Sequence, residues 1–258
     1  MRKITIFLLL AVLCGASALM AQDFQLYTSD NSELPVNSIY CINFDNNGNV
    51  WFGGQDDAAT GLAYVSMLSR DGSDWMVYET QDAALGLDAL EDRAFYIAVD
   101  DQNTKWFCTH YGVSYRKADG TAGVVEFTRD QYTRAVQTDA CGNVYISQRE
   151  DDRNNARLHV SSDYGATWEQ WSMSDMGFVT LNEGNARPEA YDLKHDSKGQ
   201  LWICTWYGVT SRKMDGTWQS VGDLEGKYTF AMTIDPDDNV WVPVNGEKNL
   251  YQIGPDET

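Results

Sequence analysis

The chain is poor in several things, and each shortage excludes something. Its 258 residues include only 3 histidines, 5 prolines and 5 cysteines, and Lys plus Arg (19) number half of Asp plus Glu (38). A formal charge of −19 repels phosphate backbones and anionic lipid, which sets aside nucleic acid and membrane surfaces as partners. The few histidines include no pair at ligand spacing, so His110 alone makes no zinc site. There is no G-x-S-x-G nucleophile elbow and no glycine-rich phosphate loop. No stretch sustains a 3.6-residue apolar period beyond a short turn near residues 82–92, which argues against a helical fold.

What is present begins with Met1-Arg2-Lys3, an apolar run from Ile4 to Leu13, and small residues from Gly15 to Ala21. That is the layout of a secretory signal peptide, giving a leader over 1–21 and one domain over 22–258. The apolar run is shorter than the ~20 residues that span a bilayer, and no second one follows. The mature chain is therefore expected to be exported, soluble and monomeric, without membrane insertion. Cys14 does not read as a lipoprotein cysteine, because bulky Leu13 precedes it. Export permits disulfides, but Cys108 and Cys204 occupy one slot of two different repeats, where they would not meet. With Cys41 and Cys141 they are expected to be mostly buried free thiols.

The mature chain repeats. Asp196–Trp218 reads DSKGQLWICTWYGVTSRKMDGTW, and Asp100–Gly120 reads DDQNTKWFCTHYGVSYRKADG. An aspartate followed six residues on by an aromatic occurs five times: Asp45/Trp51, Asp100/Trp106, Asp139/Tyr145, Asp196/Trp202 and Asp235/Trp241. Each aspartate follows an alternating apolar segment and opens a turn rich in Asn, Asp and Gly, which is a hairpin signal. The carboxylate is expected to cap the turn and the aromatic to pack between units. The aspartates recur on average roughly every 48 residues, within the ~40–50 of a four-stranded propeller blade. The residues before Asp45 and after Asp235 together make about one more repeat, and Phe24-Gln-Leu-Tyr-Thr is patterned like the closing runs at Trp75 and Trp218. The expected fold is all-β: a five-bladed β-propeller closed by pairing of the N-terminal strand with the C-terminal blade.

The composite unit, best seen at Leu201-Trp-Ile-Cys-Thr-Trp-Tyr-Gly-Val209 and Lys105-Trp-Phe-Cys-Thr-His-Tyr-Gly-Val113, resembles the two-component regulator propeller repeat. Glu33-Leu-Pro-Val-Asn-Ser-Ile39 looks like that family's linker into a blade. The resemblance runs over the mature chain and implies a periplasmic, sensor-type propeller. Membrane helix and kinase domains are absent from the sequence, which points to a stand-alone propeller. Separately, Ser161-Ser-Asp163-Tyr-Gly165-Ala-Thr167-Trp168 resembles the Asp-box hairpin of sialidase-like propellers, and Asp163 is read as a fold residue and not a catalyst.

In such a fold the ligand site is expected on the face holding the lead-ins to the innermost strands and the connections between second and third strands. The lead-ins supply Asn37, Arg93, Arg134, Glu189 and Tyr228. The connections supply Gln55, Asp56 and Asp57; His110 and Tyr111; Gln148, Arg149 and Glu150; Trp206 and Tyr207; and Asn245. Aromatic faces with Arg, Asn and carboxylates suit a polysaccharide or oligosaccharide, or a cell-envelope protein. The same aromatics are equally read as side chains that simply fill a narrow ring. The loops 81–92 and 176–188 are long enough to wall the site. Three functions stay open: a binding module, a glycoside hydrolase or lyase using two of Asp56, Asp57, Glu150 and Glu189, and a structural or assembly role. No cofactor or metal is expected; the D-N-N-G-N and D-P-D-D-N turns lack the later glutamate of a calcium loop.

Overall fold

Five aspartates organise the backbone, and the same hydrogen bonds recur at each. In the computed structural model, which describes residues 25–54, 63–79, 93–149, 157–172, 175–177 and 189–255, Asp45 Oδ1 accepts the backbone N–H groups of Asn47 (2.9 Å) and Asn49 (3.0 Å). Its Oδ2 accepts the Trp51 indole N–H at 3.1 Å. The second oxygen does likewise for Trp106 on Asp100 (3.1 Å), Tyr145 on Asp139 (3.2 Å), Trp202 on Asp196 (3.2 Å) and Trp241 on Asp235 (2.9 Å). The third residue after each aspartate sits at positive φ: Gly48, Gly142 and Gly199 near 80°, Asn103 and Asp238 at 62°. Asn and Asp are the non-glycine residues that tolerate this region best, so two turns dispense with glycine.

These turns join the first two strands of five antiparallel sheets. The first sheet is β1 (Ile39–Phe44), β2 (Val50–Gly54), β3 (Tyr64–Leu68) and β4 (Trp75–Glu79). The second is β5 (Tyr96–Val99), β6 (Lys105–Thr109), β7 (Gly112–Arg116) and β8 (Ala122–Val124), and the third is β9 (Tyr132–Thr138), β10 (Val144–Arg149), β11 (Arg157–Ser161) and β12 (Glu169–Ser172). The fourth is β13 (Ala190–His195), β14 (Leu201–Thr205), β15 (Gly208–Arg212) and β16 (Trp218–Ser220). The fifth has three strands among the described residues, β17 (Thr233–Ile234), β18 (Val240–Pro243) and β19 (Leu250–Ile253). Short 3-10 turns at Glu126–Thr128 and Gly222–Leu224 follow β8 and β16.

The first strands of successive sheets lie side by side. Asn43 donates to the Ile97 carbonyl (2.8 Å), Thr138 to the Val99 carbonyl (2.8 Å), and the Met232 N–H to Asp192 (3.0 Å). Four hydrophobic clusters fill the four interfaces, and each holds the aromatic of one Asp-to-aromatic pair: Trp51, Trp106, Tyr145 and Trp202. The expectation that these rings pack between units holds. Their direct bond to the turn aspartate was not foreseen.

One expectation needs correction. Cys108 and Cys204 are buried free thiols, and burial raises the Cys108 thiol to about 12, but Cys141 is exposed. Among the described residues, 25–28 form no strand and Leu26 is 74% exposed. On β1, Cys41 and Asn43 face the second sheet while Ile42 (59% exposed) and Phe44 (63%) point the other way, uncovered.

Asp100 is 1% exposed, so Asp100→Ala would strand the Thr104 N–H and the Trp106 indole N–H inside the protein. The expected loss is about 2–4 kcal/mol, read as a lower urea midpoint at unchanged slope. Asp235→Ala, in a more open turn, should cost less.

Candidate functional site

The first strands converge on a cavity of about 320 Å³ lined by Tyr40, Cys41, Phe95, Tyr96, Arg134, Tyr191 and Phe230. Five of these, Tyr40, Phe95, Arg134, Tyr191 and Phe230, stand five residues before the five turn aspartates, so one repeat position supplies a ring of side chains. The backbone explains why they point inward. Register shifts between Ile39 and Cys41, at Arg134, and between Ala190 and Asp192 leave Tyr40, Arg134 and Tyr191 as extra residues opposite their partner strands. Such bulges re-aim a side chain out of the regular alternation. Tyr96 donates from its hydroxyl to the Tyr191 carbonyl at 2.5 Å, reaching from the second sheet across to the fourth. That bond ties the second and fourth sheets together at the wall of the cavity, a funnel between the first strands.

A second tier stands seven residues before the aspartates and touches the first. Arg93 donates to the Tyr40 hydroxyl (3.2 Å) and lies over the Tyr40 and Phe95 rings at 5.8 and 5.9 Å. Tyr132 stacks on His110 (4.9 Å), which packs on Phe95 (4.1 Å). Glu189, 1% exposed, accepts from the Tyr191 hydroxyl at 2.9 Å. Burial, and then the Glu189 carboxylate, push the Tyr191 hydroxyl well above the ordinary tyrosine range, so it is a donor at every ordinary pH. Tyr228 lies between Trp206 (3.5 Å) and Phe230 (3.7 Å). Arg134 sits over both Phe95 (5.5 Å) and Tyr191 (4.9 Å).

The joints between sheets hold the second tier in place. Thr205 Oγ1 accepts the Tyr207 N–H (3.0 Å) and donates to the Gly208 carbonyl (3.1 Å), closing the T-x-x-G corner. Thr229, beside Tyr228, then donates to the carbonyls of Thr205 (2.8 Å) and Gly208 (3.1 Å). Thr109, Gly112 and Thr133 repeat the arrangement at the joint between the second and third sheets. Each corner therefore grips the lead-in of the next sheet by its threonine.

Of the residues expected at the site, Arg93, Arg134, His110, Glu189, Trp206 and Tyr228 come together at the funnel. Four do not. Tyr207 packs against the cluster between the third and fourth sheets. Tyr111 is 49% exposed outside the aromatic groups, because the T-x-x-G corner turns successive residues to opposite sides. The exposed Asn37 is used to fasten Ser29, accepting its N–H and donating to its hydroxyl, both at 2.8 Å. Asn245 bonds the Tyr228 carbonyl through its backbone N–H (2.8 Å) while its side chain is exposed. Gln55, Asp56, Asp57, Glu150 and the Arg149 side chain, like the leader and most of both long loops, lie outside the described residues; Glu189 is thus the one described member of the carboxylate set. Tyr40, Phe95, Tyr191 and Phe230 were missed, although counting back five residues from each aspartate would have found them.

Residues 33–56 match the two component regulator propeller family. The chain carries that family's repeat. The match covers the lead-in, β1, the Asp45 turn and Trp51. Among curated proteins nothing matches. Similar solved structures include the extracellular domain of a putative one component system from B. thetaiotaomicron, at 16% identity and TM-score 0.61 over 85% of this chain and 30% of that one. Virginiamycin B lyase from Staphylococcus aureus aligns at 14% identity and TM-score 0.62, over 86% and 68% of the two chains. A chain of the nidogen/laminin complex aligns at 18% identity and TM-score 0.57, over 84% and 75%. At these identities the shared property is the fold, an all-β propeller-like array. No helix among the described residues is long and apolar enough to cross a membrane.

Gly208 has φ of 126°, and a Cβ there would stand 2.3 Å from the Leu224 carbonyl oxygen. Gly208→Ala should therefore destabilise by about 2 kcal/mol or more and shift the lead-in that carries Tyr228. Thermal melting reads the first effect, and Trp206 fluorescence, through its stacking on Tyr228, reads the second.

Proposed function

We propose that the mature chain, residues 22–258, is an exported, monomeric, single-domain propeller that binds a carbohydrate or another polar ligand in the funnel. One observation carries this reading: bulges in the first, third and fourth sheets aim two tyrosines and an arginine at one cavity of about 320 Å³, within the usual ~300–1,000 Å³ of ligand sites. Aromatic faces hold the C–H faces of a sugar ring, and Arg and Tyr hydrogen bonds meet its hydroxyls. Kinship with the extracellular domain of a one component system supports a receptor-type module, and the nidogen/laminin neighbour keeps a protein of the cell envelope in view as the alternative partner. The test is a calorimetric and thermal-shift screen of oligosaccharides on the protein from Gln22 onward. Tyr40→Ala, at a half-exposed ring of the funnel, should weaken the sugar that binds by about tenfold or more without lowering the melting temperature. A bound sugar indifferent to Tyr40→Ala would refute the funnel, and a silent screen would move the reading to the envelope protein.

We also propose that the ring closes with five blades, the N-terminal strand completing the last. Two internal repetitions support this. Trp171 of β12 meets Trp218 of β16 edge to face at 5.5 Å, and Tyr27 meets Trp75 of β4 in the same manner at 5.6 Å. The N-terminal segment thus stands to the first sheet as one closing strand stands to the next. In the third sheet, Trp168 just before β12 packs on Phe127 of the preceding 3-10 turn at 5.3 Å. The equivalent turn at Gly222–Leu224 borders an open groove of about 340 Å³ beside Tyr251–Ile253, wide enough for the apolar side chains of a further strand. Closure would also bring Trp241 against Ile42 and Phe44 as a fifth cluster. Phe44→Ala then costs about 3–5 kcal/mol, as for a buried ring; a change within about 0.5 kcal/mol, as for an exposed one, rules closure out.

A further inference from the structure

Resting on the funnel as the binding site, we infer that its ligand is anionic: a carboxylate-bearing sugar, a uronic acid, with its carboxylate held by Arg134. Arg134 stands at the ring position where the other four sheets place Tyr or Phe. Its guanidinium is half-buried, lies over Phe95 and Tyr191, and makes no ion pair among the described residues. Its one hydrogen bond there runs from Nη1 to the Tyr132 hydroxyl at 3.5 Å, at the weak limit of such contacts. A guanidinium has five N–H donors. With aromatic rings against its faces, the remaining donors project from its edge, the side that meets a carboxylate with two parallel bonds.

The surroundings favour a ring-bearing anion over a bare one. Arg134 is flanked by the Phe95 and Tyr191 rings, and Tyr40 and Phe230 add two more apolar faces to the same cavity. Small inorganic anions gain nothing from these rings, whereas a pyranose stacks on them. Arg93, over the Phe95 and Tyr40 rings, adds a second positive charge beside the cavity. In a chain of net charge −19, two guanidiniums among these rings favour an anion locally, with the neighbouring Glu189 carboxylate taken up by the Tyr191 hydroxyl.

The test compares digalacturonate with galactobiose, its neutral counterpart, and with a short acetylated peptide ending in a free carboxylate, by calorimetry at low salt. Digalacturonate should bind about tenfold or more tightly than galactobiose. Arg134→Gln should lower digalacturonate affinity far more than galactobiose affinity, so that the preference between the two disappears. Arg134→Lys keeps the charge without the planar fork, and should retain the preference at reduced strength; it serves as the folded control should Arg134→Gln melt early. Equal affinity for both disaccharides overturns the anionic inference and leaves the funnel reading intact. A preference that survives Arg134→Gln overturns the assignment to Arg134. Binding of the peptide alone replaces the sugar by a chain terminus, and binding of none of the three overturns this inference without touching other ligands of the funnel.

Discussion

Everything in this fold depends on a carboxylate with two duties. One oxygen of the turn aspartate gathers backbone N–H groups, and the other holds the aromatic six residues later. The first duty fixes the hairpin between the first and second strands. The second fixes where a large ring stands on the second strand, and so what fills the interface with the next sheet. At Asp45 burial pulls toward the protonated form, yet the bonds from Trp51, Asn49 and the backbone outweigh it and hold the carboxyl below its ordinary range. The bonds are therefore to the charged form, the stronger kind.

The joints follow from a second small device. The threonine of a T-x-x-G corner ties its own loop, and the threonine opening the next sheet ties itself to that corner. Because Thr133 and Thr229 neighbour Arg134, Tyr132, Tyr228 and Phe230, the bonds that connect one sheet to the next also place the residues of the funnel. Scaffold and site are in this sense one structure. A methyl group at Gly208 is felt at Tyr228 for the same reason.

The chemistry of the funnel differs from that of the remaining surface. Outside, acidic turns dominate, and several carboxylates are held below their ordinary range by hydroxyl and backbone donors, as at Asp71 and Asp163, each at about 2. Inside, rings and guanidiniums predominate, with the Glu189 carboxylate bonded to Tyr191. Asp163 bonds Ser161, Thr167 and the Thr167 N–H, so it is occupied with its own turn. Glu189 is the described carboxylate nearest the funnel chemistry, and it engages Tyr191.

How much could be read from the chain alone differs between scaffold and site. The five Asp-to-aromatic pairs, the hairpins around them and the all-β class were legible, because a turn of four residues and a period of two are local properties written in neighbouring residues. Arg93, Arg134, Glu189 and Tyr228 were legible as lead-in residues for the same reason. The fixed spacing of Tyr40 and Tyr191 before their aspartates was legible too, but not that they point into one cavity, since a bulge changes which way a side chain points without leaving a mark in the pattern of apolar residues. Tyr207 and Asn37 had the right composition for a site, yet the corner geometry sent one into the core and the other to Ser29. Sequence by itself determined the repeating hairpins and the rings they carry. Only the tertiary structure decided which rings meet, because contact between residues far apart in the chain is set by how sheets pack.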